Sequence, residues 1–357
     1  MDQELDALGM LDLMIRPGFC VKDRVIVKVN AGAKGMLFSE GMEIGALLAT
    51  GETEYAEFSG GTLYLTLRCC DSVWGASVTR MGSWDVFLLE ENQDRAELKA
   101  MALAARELRD PLASIMTTAD RLFPMHALED DPVLREQAAR LNRGLYQMLR
   151  IIGNMSDAGS YGASAAAQRT VDIPAFFREI FEKLQGHMVH TGLTLRFENL
   201  SQPLFCLADR EKLERAVMNI LSNAMKFTPA GGTIEATLKR RGNRLYLSVQ
   251  DSGVGIPDAI RGSVHHRYLR QPALEDSRFG IGLGMVLIRS AAAIHGGTVL
   301  IDHPEGGGTR ITMTLAIRQN TSGDVRSPLL GFDYTGERDH SLVELADIRP
   351  AHLYETL

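Results

Sequence analysis

The sequence predicts a multidomain α+β chain, on three observations. Strand-like alternation of apolar and polar residues fills 1–91, heptad spacing fills 92–158, and an ordered set of glycine- and asparagine-bearing motifs occupies 170–318. Small residues at 159–169 read as a linker, and 319–357 as a tail. A chain of 357 residues is long enough to bury roughly two or three separate cores.

In the first region, Arg24-Val-Ile-Val-Lys-Val and Thr62-Leu-Tyr-Leu-Thr-Leu-Arg68 alternate as half-buried strands do, and Trp84-Asp-Val-Phe-Leu-Leu-Glu90 makes a third. Breaks at Gly32, Gly35, Gly60-Gly61 and Gly82 separate these elements into a small α/β domain. Its length, position and rhythm resemble a PAS-type sensor module.

From 92 to 158 the period changes. Leu98, Met101, Ala105, Leu108, Leu112, Ile115, Ala119 and Leu122 recur at steps of three and four, the seam of a helix that packs on other helices. Pro124 and Glu129-Asp130-Asp131-Pro132 interrupt the seam, which resumes at Leu134, Ala138, Leu141, Leu145, Met148, Ile152 and Met155. Two such helices bury a continuous seam best as a four-helix bundle built from two chains; the other solution is a hairpin resting on another domain of its own chain.

Composition narrows the partners. Net charge is -7, whereas phosphate binding usually leaves a basic footprint, so nucleic acid is not expected. No apolar run reaches the roughly 18 residues of a membrane span, and the acidic opening Met1-Asp-Gln-Glu-Leu-Asp lacks a leader pattern; the expectation is a cytoplasmic protein. Cys20, Cys69, Cys70 and Cys206 have neither disulfide-framework nor zinc spacing; the adjacent pair should face opposite sides of a strand.

The chemistry concentrates between Asn219 and Thr309. The motifs are Asn219-Ile-Leu-Ser-Asn223-Ala-Met-Lys226-Phe227-Thr-Pro, Asp251-Ser-Gly253-Val-Gly255-Ile-Pro, Gly280-Ile-Gly282-Leu-Gly284 and Glu305-Gly306-Gly307-Gly308-Thr309. Arg210 to Lys226 has helical periodicity, with Leu213, Ala216, Val217, Ile220, Leu221 and Ala224 on the buried side. Asn219, Asn223 and Lys226 then share another face. A carboxamide oxygen suits magnesium and an ammonium group suits polyphosphate. Gly253 and Gly255 let backbone approach a ligand. The triplet Gly280, Gly282, Gly284 sits before the apolar run Met285-Val-Leu-Ile, so its amides can meet phosphate oxygens. A dinucleotide fingerprint fails because the triplet follows polar Gln271 to Arg278 rather than a strand, and no Walker-A pattern occurs.

In this order the motifs resemble the ATPase fold (GHKL-type α/β sandwich) shared by sensor histidine kinases, gyrase B, Hsp90 and MutL. The resemblance implies ATP with Mg2+ as the cofactor pair. It makes Asn223 the magnesium ligand and places Asn219 near the phosphates with a catalytic role. Lys226 would contact the phosphates, Phe227 would lie on the adenine and Asp251 would read the adenine amino group. The glycines Gly253, Gly255, Gly280, Gly282 and Gly284 would line the pocket. Arg261, His265, His266, Arg267, Tyr268 and Arg270 take the place of the mobile ATP lid, and the adjacent histidines lack the spacing of metal ligands. His295 matches a family histidine taken as structural.

The first seam helix carries Arg106-Glu107-Leu108-Arg109-Asp110-Pro111-Leu112, which resembles the histidine kinase phosphoacceptor motif His-Glu-Leu-Arg-(Thr or Asn)-Pro-Leu. A proline inside a helix costs about 3 kcal/mol, so the match is not cheap to make by accident. Glu107, which in the family assists the acceptor, is kept and counts as catalytic. The acceptor itself is Arg106, and a guanidinium has no free lone pair with which to attack phosphorus. Asp110 replaces the Thr or Asn linked to phosphatase activity. His126 lies twenty residues beyond Arg106, ~30 Å along a helix, and falls in the hairpin loop.

The sequence therefore predicts an ATP-binding signalling protein of two-component type that does not phosphorylate itself at the usual site. It is expected to act in trans, as a homodimer or as a heterodimer with a related kinase, with a response regulator as a further partner. The alternative is a pseudokinase scaffold whose ATP-gated shape is read by a binding partner. A third chemistry on the same pocket, that of serine kinases acting on anti-sigma partners, is disfavoured by the bundle seam.

Overall fold

The computed structural model describes residues 11, 14, 16–90, 92–124, 131–159, 168–188, 191–200, 202–256, 283–318 and 340–354. The first region forms β1 (Gly18–Lys22), β2 (Val25–Val29), β3 (Thr62–Cys69), β4 (Ser72–Met81) and β5 (Trp84–Leu89). These make an antiparallel array in the order β2-β1-β5-β4-β3. Three short helices, α1 (Ala31–Gly35), α2 (Ile44–Leu47) and α3 (Glu52–Ala56), lie between β2 and β3 in the chain. Phe19 stacks on Phe38 and Phe87 at 5.2 and 4.8 Å in its core. Cys69 ends β3 buried, while Cys70 is exposed in the following turn at φ 53°, so the two do not share a strand and their thiols lie within hydrogen-bonding reach of each other.

The alternation in Thr62–Arg68 predicts a half-buried strand, but β3 is buried on both faces from Thr62 to Leu67. Leu63, Leu65 and Leu67 enter the core of the first region, while Tyr64 enters a core of the third. β3 pairs antiparallel with a strand of the third region, β11 (Val299–Asp302), in the register Val299↔Tyr64, Leu300↔Leu63, Ile301↔Thr62. One ten-stranded sheet results, running from β2-β1-β5-β4-β3 through β11 to β12 (Arg310–Ala316), β10 (Arg244–Asp251), β9 (Thr233–Arg241) and β7 (Thr194–Glu198). Gly61, at φ 84°, permits the approach: a Cβ there would strike the Ile301 carbonyl. Tyr64 crosses the seam into the core of the third region, beneath the guanidinium of buried Arg289, 4.9 Å from its ring. Arg289 also reaches Glu90 at 3.4 Å, which ties the end of the first region to the third.

The heptad region forms two antiparallel helices, α4 (Asn92–Leu122) and α5 (Pro132–Gly159). Pro111 sits within an unbroken α4. Asp131 caps α5, accepting from the N–H groups of Val133 and Leu134, and Pro132 fills the first helical position where no donor is needed. The seam divides by face. Leu98, Ala105, Leu112 and Ala119 are buried, whereas Leu108, Ile115 and Leu122 are 49%, 50% and 66% exposed. On α5, Ala138, Leu145 and Ile152 are buried, and Leu141 and Met148 remain open.

The third region adds β6 (Arg169–Asp172), α6 (Ile173–Met188), β7 (Thr194–Glu198), β8 (Phe205–Ala208), α7 (Arg210–Phe227), β9 (Thr233–Arg241), β10 (Arg244–Asp251), α8 (Leu283–Ile294) and β12 (Arg310–Ala316). Leu213, Ala216, Val217, Ile220, Leu221 and Ala224 of α7 are buried as the periodicity predicts. They join α6 and the sheet in one core with Phe177, Phe181, Leu245, Leu247 and Met313. The start of α8 packs through Leu283, Val286 and Leu287 on Leu98 and Ala158 of the hairpin. Finally, α9 (His340–Glu344) and a 3-10 turn at Ala351–Tyr354 lie against α5 and α7. Among the described residues no helix is long and apolar enough to cross a membrane.

Candidate nucleotide-binding site

Helix α7 places Asn219, Asn223 and Lys226 one turn apart, and its fixed entry comes from Asp209, whose side chain accepts from the Lys212 N–H at 3.1 Å. His295 secures the same end. Its Nε2 accepts from the Asp209 N–H at 2.9 Å and its Nδ1–H donates to the Ala291 carbonyl at 2.7 Å, a tautomer assigned from these two contacts. Burial pushes the imidazole pKa down, so it stays neutral. His295 is thus a structural residue, as expected.

Asn219 is buried; its Nδ2 donates to the Arg215 carbonyl at 2.8 Å. Its Oδ1 occupies the space above Gly284, 2.9 Å from where a Cβ would stand, so a glycine there lets α8 begin against α7. Asn223 is half-buried and makes no side-chain hydrogen bond among the described residues. Lys226 is 10% exposed, and its Nζ lies 2.8 Å from Asp347 Oδ2. Burial lowers the Lys226 pKa, and the hydrogen bond to Asp347 opposes that fall.

Around the C-terminal end of α7 the other motifs close in. The Val254 N–H donates to the Phe227 carbonyl at 3.3 Å, and a Cβ on Gly253 would strike that carbonyl. Asp251, at the end of β10, is 7% exposed; its Oδ1 accepts from the N–H groups of Gly253 at 2.9 Å and Thr309 at 3.2 Å. Burial raises its carboxyl pKa, while those two donors and nearby His303 pull it back. Gly308, at φ 79°, carries its backbone against the Asp251 carbonyl, where no side chain fits. His303 donates from Nδ1 to the Gly308 carbonyl at 3.1 Å. Gly255 closes the ring, its Cβ position 3.2 Å from the Gly308 carbonyl.

Phe227, Asp251, Gly253, Gly255 and Gly308 therefore meet beyond the end of α7, Asn219 meets Gly284 at the start of α8, and Asn223 and Lys226 follow Asn219 along α7. Gly280, Gly282, the lid residues with His265 and His266, and His126 lie outside the described residues. Sequence reasoning passed over His303, Arg150, Arg215 and Asp347. Arg106, Glu107 and Asp110 form an exposed row on α4 beside buried Ala105. The donor set suits a magnesium–polyphosphate ligand: an uncommitted carboxamide, an ammonium group and backbone brought close by glycines.

Residues 208–319 match the family model for histidine kinase-, DNA gyrase B-, and HSP90-like ATPases. The chain is 31% identical over 242 residues to the histidine protein kinase DivJ of Caulobacter vibrioides, covering 64% of this chain and 40% of that protein. It is 28% identical over 249 residues to hybrid signal transduction histidine kinase D of Dictyostelium discoideum, covering 65% of this chain and 16% of that protein. Among solved structures, full-length ShkA in complex with AMPPNP overlays with a TM-score of 0.50 at 24% identity, over 62% of this chain and 46% of that chain, a likeness of fold. The chain is related to sensor histidine kinases and carries their ATP-binding type of domain. It spans less than half the length of these curated relatives.

Proposed function

We propose that this chain is an Mg-ATP-binding signalling protein of the sensor histidine kinase family that does not phosphorylate itself at the usual position and acts in trans on a partner. The observation that carries the reading is Asp251 aimed by the N–H groups of Gly253 and Thr309 beside the end of α7, in a chain where Arg106 stands exposed at the acceptor position of α4. Asp251 would accept from the adenine amino group, Phe227 would lie along the base, and Asn223 with Asn219 and Lys226 would hold the polyphosphate end. Bound Mg2+ would neutralise phosphate charge and leave the γ-phosphorus open to attack. The attacking imidazole must come from another chain, because Arg106 offers no lone pair. Glu107 keeps its position beside the acceptor site.

The exposed apolar heptad faces of α4 and α5, carrying Leu108, Ile115 and Leu122 on one helix and Leu141 and Met148 on the other, support a four-helix bundle with a second copy or a related kinase. The α/β array of β1–β5 with helices between β2 and β3 supports a PAS-like input domain. The free thiols of Cys20, Cys69, Cys70 and Cys206 support a cytoplasmic setting, where a response regulator would be the next recipient.

Incubating the chain with γ-labelled ATP, magnesium and a related kinase that retains its histidine but has a disabled ATP site tests action in trans. Acid-labile label on the partner alone is the expected outcome. No transfer, under conditions where nucleotide binding is demonstrated, would leave the scaffold role in its place.

A further inference from the structure

The C-terminal segment 340–354 is the part of the molecule that the ATPase reading leaves unused, and it is built into two cores at once. Leu345, fully buried, belongs to the core of the ATPase domain, while Val343, Ala346 and Tyr354, all at most 1% exposed, join Ala105, Leu112, Leu145 and Ile152 of the hairpin. Polar contacts fix its path. Asn142 Nδ2 donates to the Tyr354 carbonyl at 3.0 Å, and Arg143 donates from Nε to the Ala346 carbonyl at 2.9 Å and from Nη2 to the Asp347 carbonyl at 3.1 Å.

The segment's two carboxylates then meet three cations from two different bodies. Glu344, fully buried, lies 3.2 Å from Arg150 Nε on α5 and 3.8 Å from Arg215 Nε on α7. Asp347 Oδ2 is shared between Arg150 Nη1 at 2.5 Å and Lys226 Nζ at 2.8 Å. Arg150 also donates to Ser222 Oγ at 3.0 Å, one residue before Asn223. An anionic oxygen held jointly by an ammonium and a guanidinium is the arrangement a phosphate oxygen would adopt there. Burial acts to raise the Asp347 pKa, but the charges of Arg150 and Lys226 outweigh it and hold the carboxyl below its ordinary value, so it is ionised at neutral pH.

We propose that segment 340–354 is an intramolecular clamp: Asp347 takes the place of a nucleotide phosphate at Lys226, so the tail and Mg-ATP compete for one cation, and occupancy by the tail locks the ATPase domain to the helical hairpin. The proposal rests on Lys226 being a phosphate contact of the nucleotide site. The physical consequence is arithmetic. A ligand that binds only the open form sees its affinity reduced by the fraction of molecules that are open. The clamp is also reciprocal, because nucleotide that displaces Asp347 must loosen the hold of α9 on α5.

The test uses the full chain and trinitrophenyl-ATP with magnesium, comparing wild type, Asp347→Asn and Asp347→Glu by fluorescence titration. Affinity is expected to rise roughly 3- to 10-fold in Asp347→Asn, for a clamp closed most of the time, and to remain near wild type in Asp347→Glu. In parallel, amide hydrogen exchange over 340–354 in the wild type is expected to speed up at saturating Mg-AMPPNP. Equal or weaker affinity in a folded Asp347→Asn overturns the clamp while leaving the ATP site standing. If Asp347→Asn does not fold, unchanged exchange in nucleotide-saturated wild type overturns it instead. Absence of nucleotide binding by every form overturns the ATP-site reading and the clamp together.

Discussion

Asp251→Ala is expected to weaken nucleotide binding by roughly 10- to 150-fold, the equivalent of about 1.5–3 kcal/mol for a lost hydrogen bond to a charged acceptor. The carboxylate is aimed by the N–H groups of Gly253 and Thr309, so its free lone pairs have a fixed direction before any base arrives. That preorganisation is why one side chain can have so large an effect. The pH dependence has two opposite signs. Because burial raises the folded-state pKa above its unfolded value, Asp251 adds to stability below the unfolded pKa, and this contribution is lost as pH rises through the folded pKa. Nucleotide affinity runs the other way, since the ionised carboxylate is the stronger acceptor for the adenine amino group. Affinity of the wild type should therefore fall as pH drops through a pKa raised above that of an ordinary aspartate, and Asp251→Ala should lack that acid limb. Isothermal titration with AMPPNP from pH 7 downward measures both effects, and wild-type affinity in Asp251→Ala would remove Asp251 from the site.

Arg215→Ala is expected to destabilise the fold by about 3–5 kcal/mol, because it removes a buried guanidinium whose ion pairs join three helices. Arg215 is 2% exposed, donates to Asn154 Oδ1 at 2.8 Å, and forms ion pairs with Asp157 and Glu344. It thereby joins α7 to α5 and to α9. Burial pushes the Asp157 carboxyl up, and Arg215 is the first charge that counters it. Without the guanidinium, half-buried Asp157 loses its ion-pair partner and fully buried Glu344 is left with Arg150 at 3.2 Å. A loss of about 10 °C in melting temperature is the corresponding shift for a domain of this size. Arg215→Lys should fall between, since an ammonium keeps the charge but loses the fork that serves several partners. A melting temperature for Arg215→Ala within about 2 °C of wild type would contradict the packing described.

Much of this architecture is visible in the chain because it depends on local rules. The α7 motif spacing, the glycines beside Asp251 and the heptad seam all reflect constraints within a few residues, and the structure brings Phe227, Asp251, Gly253 and Gly308 together and sets Asn219 against Gly284. The seam's division into a buried stripe and an open stripe was not legible, since periodicity shows which residues are apolar but not which neighbour covers them. Strand β4 was missed because its run Trp74-Gly-Ala-Ser has small residues where Tyr64 Oη and Glu90 fill the space over Gly75. Strand β1 was missed because Gly18-Phe-Cys-Val-Lys does not alternate. The β3–β11 pairing joins residues more than two hundred positions apart, and β-pairing leaves no sequence signature at that distance. The same holds for the cluster of Arg150, Arg215, Glu344 and Asp347, each of which reads alone as an ordinary surface charge.

The central claim is a working nucleotide site joined to a disabled acceptor, and one comparison tests it most directly. Wild type and Arg106→His are incubated with γ-labelled ATP and magnesium, and label that is acid-labile and base-stable is scored. Label is expected on Arg106→His and none on wild type, because the substitution restores a nucleophilic nitrogen on an exposed face of α4 and leaves the residues around Asp251 untouched. Label on the wild type would contradict it by revealing another acceptor, and label on neither would show that the cleft does not deliver a phosphoryl group to this helix.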